Sequence, residues 1–127
     1  MECNCKVVAA FEKMKSYSQE FVEKRDWIAF HTPKNIAMGI SVEAAELLEL
    51  FQWLTEEQSY KVKFDAKQMG KIRDEVGDIF HLLIRLSTLL DFDLVESFWS
   101  KLKKTELKYP VELAKGKAKK YSLLSEE

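Results

Sequence analysis

The chain has 127 residues, of which 46% are hydrophobic and 32% charged, with a formal net charge of −1 at pH 7. That length suits a single hydrophobic core, and so apolar a composition excludes a disordered chain. Twenty basic residues against twenty-one acidic ones exclude the overall basic excess of a nucleic-acid binder.

The N-terminus, MECNCKVVAA, lacks the long apolar stretch of a secretory signal. Cys3 and Cys5 are too close in sequence to staple a fold, and with His31 and His81 they make no zinc site of recognised local spacing. They read as reduced thiols on a mobile end of about six residues. A first helix is expected over about Val7 to Arg25, followed by a connection from Asp26 to Pro33. The second helix starts near Pro33, with Thr32 as N-cap and the proline in the first turn, where its missing N–H does no harm; it runs to about Leu54. A loop follows through Tyr60. The third helix covers about Asp65 to Leu90, and its most apolar part, Ile79 to Phe92, is interrupted by His81, Arg85 and Asp91, so no membrane span is expected. The fourth covers about Leu94 to Lys108 and stops before Pro110. The lysine-rich tail, from about residue 111 to 127, has no clear periodicity. Four glycines and two prolines, with helical rather than alternating periods, give an all-α fold: a helical bundle of about four helices in one domain, 1–127, in a cytoplasmic protein without nucleic-acid or membrane partners.

Two of these helices carry acids in unusual places. At about 100° per residue, Ile36, Ile40, Leu47, Leu50 and Leu54 form one apolar stripe with Glu43 in its middle. Glu46 lies one turn along, and Glu49 continues the ladder. On the third helix Ile72, Ile79, Leu82 and Leu86 form a stripe that contains Glu75, with Asp78 a turn further on. A carboxylate on an apolar stripe is costly unless it is paired, protonated or bound to a cation. Nearby partners are scarce, because Asn35 to Tyr60 holds five acids and no lysine or arginine. Converging acids without cations hold protons, and a hard divalent cation such as Mg²⁺, with Mn²⁺ as a substitute, relieves the repulsion through oxygen ligands. The plainer alternative is solvation, or pairing across helices to Lys71, Arg73 or Arg85.

His81, three residues after Asp78, raises the case of a di-iron carboxylate bundle. That class needs a Glu-x-x-His motif on each of two helices, and the only other histidine, His31, falls in an expected loop. A P-loop is excluded as well, since G-x-x-x-x-G-K-[ST] is absent. Phosphates would have to be held by metal and by basic side chains, of which Lys101 to Lys120 supplies eight lysines against Glu106 and Glu112.

The motif Glu43-Ala44-Ala45-Glu46, followed after 28 residues by Glu75-Val76-Gly77-Asp78, resembles the E-x-x-E…E-x-x-D signature of MazG-like nucleotide pyrophosphohydrolases, in the all-α NTP pyrophosphatase superfamily. R-D-W-I-A-F-H-T-P-K-N from Arg25 to Asn35, E-L-L-E-L-F-Q-W from Glu46 to Trp53 and Lys108-Tyr109-Pro110 are similar to the dCTP-pyrophosphatase branch. The resemblance covers roughly Phe21 to Tyr121. It implies hydrolysis of a nucleoside triphosphate, deoxynucleotides or non-canonical nucleotides first among them, to the monophosphate and pyrophosphate. It also implies Glu43, Glu46, Glu75 and Asp78 as Mg²⁺ ligands, and a bundle completed in a homodimer or homotetramer. By the same resemblance Trp27, His31 and Trp53 surround the base, and Lys101 and Tyr109 stand near the phosphates.

Residue chemistry adds Glu46 as the catalytic carboxylate that orients or deprotonates water, Glu49 as its support, and Asn35 beside the substrate or serving only its helix end. The indoles offer stacking faces, with ordinary packing as the plainer alternative. Thr105 stands where the branch carries an Asn that reaches the base, and it lacks an amide's combined donor and acceptor set. Gly77 and Leu82 stand where that branch often has Ser and Tyr. The reading from another class is a non-catalytic all-α interaction module whose acids pair across an oligomer interface.

Overall fold

A computed structural model describes residues 2–124, and side chains from residue 6 onward. The thiols of Cys3 and Cys5 and the last three residues of the tail lie outside the described residues. Among those described, the chain is helical throughout, without strands. The helices are α1 (Glu2–Glu23), α2 (Pro33–Glu49), α3 (Glu56–Lys61), α4 (Ala66–Leu89), α5 (Leu94–Lys108) and α6 (Val111–Ala114), with short 3-10 turns at Ile28–Phe30, Val62–Phe64 and Tyr121–Leu123. Four of the helices are long, as expected, and the chain forms two compact units, Met1–Asp91 and Phe92–Glu127.

In the first unit α4 is the central helix, packed along both α2 and α1. Asp65 opens it by accepting from the N–H groups of Lys67 and Gln68 at 2.9 and 3.0 Å, which satisfies two of the donors a helix start leaves free. Val22, Ile36 and Ile84, one from each long helix, are its buried apolar residues, and Ser18, Arg85 and Ser87 are buried beside them. Gly39 lets α2 approach α4 closely, since a Cβ there would stand 3.1 Å from Leu82 Cδ1. That approach lies one turn before Glu43, so it brings the acid-bearing stretch of α2 up to α4.

The connection after α1 follows from R-D-W. Arg25 donates from Nη1 to the Phe21 carbonyl at 2.9 Å and covers the Phe21 ring at 3.6 Å, satisfying a carbonyl that the helix end leaves free. Asp26 takes a positive φ of 56°, a conformation that aspartate tolerates better than most side chains. Trp27 N–H then bonds back to the Val22 carbonyl at 3.1 Å, which fixes the direction of the indole. Thr32 caps α2 as expected, accepting from the Asn35 N–H at 3.2 Å, with Pro33 in the first turn.

Two boundaries differ from the sequence reading. α2 ends at Glu49 rather than near Leu54, because the backbone tightens there: Leu50 N–H bonds to Leu47 O, Phe51 N–H to Leu48 O and Leu54 N–H to Phe51 O. These i→i+3 turns keep near-helical spacing, so the apolar period outlasts the helix. The loop expected through Tyr60 contains α3, opened by a capping box in which Thr55 and Gln58 exchange hydrogen bonds at 3.2 and 2.9 Å. The T-x-x-Q signal was present at Thr55.

In the second unit α5 matches the expected span, with Asp93 as its N-cap. The segment after Pro110 contains α6 and the 3-10 turn, and Tyr121 packs edge-on against Tyr109 with Lys108 Nζ 4.9 Å from its ring centre.

Candidate functional site

Glu43 from α2 and Glu75 and Asp78 from α4 each offer one carboxylate oxygen, and these atoms all lie within 4.8 Å of one another. Glu43 and Glu75 are half-buried and Asp78 is exposed. The Glu46 carboxyl is near enough to both Glu43 and Glu75 to raise their pKa values, although it is not within the tight group of three. Loss of water first, then the neighbouring carboxyls of Glu46, Asp78 and Glu75, push the Glu43 carboxyl above the usual range. Glu75 is raised too, by loss of water first and then by Glu46 and Asp78. Each acid is held against the others' charge, as like charges at short range require.

The cross-helix pairing considered for these acids is not what the side chains do. Among the described residues the ion pairs are Lys15–Glu12, Lys24–Glu20 and Lys61–Glu57, all between neighbours on one helix. Arg85 is fully buried and donates from Nη1 to Gln19 Oε1 at 2.7 Å. Glu49 is exposed on the last turn of α2.

Beside the acids a cavity of about 660 Å³ opens between α1 and α4. Met14, Phe21, Trp27, Phe80, Leu82 and Ile84 give it apolar walls, and Tyr17, Ser18, His31, Asp78 and His81 supply its polar groups. Asp78 therefore belongs to both the acid cluster and the cavity. Trp27 and His31 stack with their planes 24° apart and centres 6.5 Å apart. Burial first, and the nearby Arg85 and His81 second, push the His31 pKa down, and its Nδ1 is buried without a hydrogen-bond partner.

Trp53 is not part of this cavity and stands 86% exposed beyond α2. The Asn35 side chain is occupied by its helix start, donating from Nδ2 to the Phe30 carbonyl at 3.0 Å. In the second unit Lys101 is exposed on α5, Tyr109 closes that helix, and the Thr105 hydroxyl donates to the Lys101 carbonyl at 3.0 Å. Sequence reasoning missed Tyr17, Ser18 and Phe21, and it raised His81 only for an iron site. All four line the cavity. The signal for Tyr17, Ser18 and Phe21 was their i, i+1, i+4 spacing on one face of α1.

Comparison with known proteins agrees with this arrangement. The model of the MazG-like family matches residues 38–124. The chain is 32% identical over 111 residues to dCTP pyrophosphatase 1 of Mus musculus, covering 87% of this chain and 65% of that protein. It is 30% identical over 113 residues to the Homo sapiens protein of the same name, covering 89% and 66%. It thus spans about two-thirds of the length of these curated relatives. A crystal structure of a pyrophosphatase from Archaeoglobus fulgidus superposes with a TM-score of 0.72 at 36% identity, covering 78% of this chain and 91% of that one. The chain belongs to the MazG-like family.

Proposed function

We propose that this protein is a Mg²⁺-dependent nucleoside triphosphate pyrophosphohydrolase that converts a deoxynucleotide or non-canonical nucleotide to its monophosphate and pyrophosphate. The observation that carries this reading is the position of Asp78, shared between the acid cluster and an apolar cavity with two stacked rings at its edge. A triphosphate is long and anionic at one end and flat and aromatic at the other, and the two adjoining environments suit those ends.

The donor set fits a hard cation: three carboxylate oxygens within 4.8 Å, with no sulfur or imidazole in the group. Glu43, Glu75 and Asp78 would hold it, with Glu46 beside them. A divalent ion bound there supplies neutralisation of phosphate charge. Glu46, beside Glu43 and Glu75, accepts the proton of the attacking water as general base. Trp27 stacks on the base, and His31 directs a ring nitrogen toward it. Trp53 covers the base from a second copy of the chain.

That second copy is part of the reading. Among the described residues only Val22, Ile36 and Ile84 form the buried apolar core of the first unit, while Val8, Met38, Val42, Val76 and Trp53 there are at least 48% exposed. A homodimer or homotetramer buries such side chains.

The test is pyrophosphate release from (d)NTPs with Mg²⁺. Glu46→Gln and Asp78→Asn should each lower turnover by about 10²-fold or more with the circular-dichroism spectrum unchanged. Near-wild-type turnover in either variant refutes the assignment, and stability indifferent to Mg²⁺ favours an interaction module instead.

A further inference from the structure

No lysine or arginine lines the cavity, and Ser18 Oγ and His81 Nε2, 2.7 Å apart, join α1 to α4 in its wall and occupy each other. Cations for a phosphate chain must therefore come from the helices that carry the acids. α2 holds none beyond Lys34 in its first turn. α4 holds Lys67, Lys71, Arg73 and Arg85, of which Arg85 is fully buried on Gln19. Arg73 lies about 160° round the helix from Lys71, whereas Asp78 lies only about 20° and Glu75 about 40° from it, with about 6 Å of rise between Lys71 and Glu75. α2 runs antiparallel to α4, since Gly39 faces Leu82 while Glu43, a turn later, meets Glu75 and Asp78. Followed toward its start, α4 thus presents cavity wall from Ile84 to Gly77, then the acids Asp78 and Glu75, then Lys71. Lys71 is exposed, and among the described residues no ion pair includes it. A lysine four residues before a glutamate is the weaker order for a helix pair, and the charges that act on Glu75 are those of Glu46, Asp78 and Asp74. The ammonium is free for a ligand.

We infer that Lys71 binds the terminal phosphate of the nucleotide and makes the site select nucleoside triphosphates over diphosphates. This rests on the proposed hydrolysis at the neighbouring acids. A ligand with its ring end in the cavity and its phosphates crossing Asp78 and Glu75 extends toward the start of α4, where the next cation on that face is Lys71. A diphosphate ends at the acids, whereas a third phosphate passes on toward the following turn, within reach of lysine's long flexible stem. A triphosphate carries more negative charge than one divalent ion balances, and Lys71 supplies a further positive charge at the end farthest from the ring. Its ammonium is a compact point charge with donors in three directions, which suits a phosphate end free to rotate. That end leaves within the pyrophosphate, so Lys71 holds the leaving half of the substrate and takes no part in activating water.

The experiment measures Kd by calorimetry for the full chain with Mg²⁺, using the non-hydrolysable α,β-imido analogues of dCTP and dCDP. The wild type should bind the triphosphate analogue about tenfold or more tighter than the diphosphate, the range of one charged hydrogen bond. Lys71→Gln should remove that preference by weakening the triphosphate alone, and Lys71→Arg, which keeps the charge, should retain it. Arg73→Gln removes the same charge from the opposite face of α4 and should bind both analogues as wild type. In turnover of dCTP, Lys71→Gln should raise KM with kcat little changed, the pattern of lost uniform binding. A wild type that binds both analogues equally, a Lys71→Gln variant that weakens both by the same factor, or an equal loss in Arg73→Gln would overturn the inference. Calorimetry that follows the expected pattern without turnover of any triphosphate would uphold Lys71 and refute the hydrolysis. Pyrophosphate release from dCTP with the same KM in wild type and Lys71→Gln would do the reverse.

Discussion

The carboxyls of Glu43 and Glu75 come from different helices, yet each offers an oxygen within 4.8 Å of the other's, and both are held above the usual carboxylate range. In each case loss of water is the first cause and neighbouring acids follow. A folded-state pKa above the unfolded value means that the native state binds the proton more tightly, so this contribution to stability is present at low pH and is lost as pH rises through the raised values.

Metal-free protein should accordingly lose stability from these two groups as pH rises above about 4.5. Glu43→Gln or Glu75→Gln should flatten that dependence and raise the metal-free Tm at pH 7.5, because the repulsion is gone. The same variants should lose stabilisation by Mg²⁺, which for the wild type at a hundred times its Kd amounts to about 2.7 kcal/mol. Thermal scans with EDTA and with Mg²⁺ measure both effects. A variant less stable than wild type in EDTA, yet still stabilised by Mg²⁺, contradicts the arrangement.

Trp27 is 43% exposed at the cavity edge and stacked with His31. Trp27→Ala should weaken nucleotide binding by about 1–3 kcal/mol, the range measured for base–aromatic stacking. Calorimetric titration with a non-hydrolysable triphosphate checks this against Phe64→Ala, which removes an 81% exposed ring of the 3-10 turn after α3, outside the cavity, and should bind as wild type. Equal affinity in the two variants would remove Trp27 from the site.

How much of this was legible in the sequence depends on range. The acids were, because helix geometry alone places Glu43 and Glu46, and Glu75 and Asp78, a turn apart on apolar stripes, and burial cost makes such stripes conspicuous. Thr32 was, because capping is local. The Ser18–His81 bond was not: 63 positions separate the two residues, and neither has a neighbour that announces the other. Arg85 was weighed as a partner for the acids, but its direction around α4 sends it to Gln19 on α1. α3 was overlooked because its six residues are too short for a period, although its capping box was readable. The end of α2 was overrun because 3-10 turns continue the apolar spacing.

His81 and His31 are both pushed below their usual pKa, first by burial and then by the cationic Arg85; His31 is lowered further by His81, while Asp78 pulls His81 partly back. A depressed folded pKa gives stability that is present above the unfolded value and lost as pH falls through the folded one. From these groups the protein should weaken as pH drops below about 6.5, opposite in sign to the acids. His81→Phe removes one of them, so its stability deficit relative to wild type should shrink from pH 7.5 to pH 5 in urea titrations. A deficit that grows toward pH 5 would mean that the histidine is stabilised as the cation.

Arg85 is fully buried, with Nη1 on Gln19 Oε1 at 2.7 Å and with Nε and Nη2 lacking hydrogen-bond partners. Gln19 in turn donates from Nε2 to Glu23 Oε1 at 2.7 Å, so one amide links the buried cation to an exposed carboxylate on the next turn of α1. A buried charge that loses its last acceptor keeps its full desolvation cost, whereas an apolar side chain of similar volume does not carry that cost. Gln19→Leu should therefore destabilise the chain by about 3 kcal/mol, and Arg85→Met should be neutral or stabilising. The double variant should recover most of the Gln19→Leu loss, giving a large coupling in the cycle. Urea denaturation of the four proteins at one protein concentration measures it. If Arg85→Met alone costs more than Gln19→Leu, the buried guanidinium stabilises the chain beyond its desolvation cost, and this account of the pair fails.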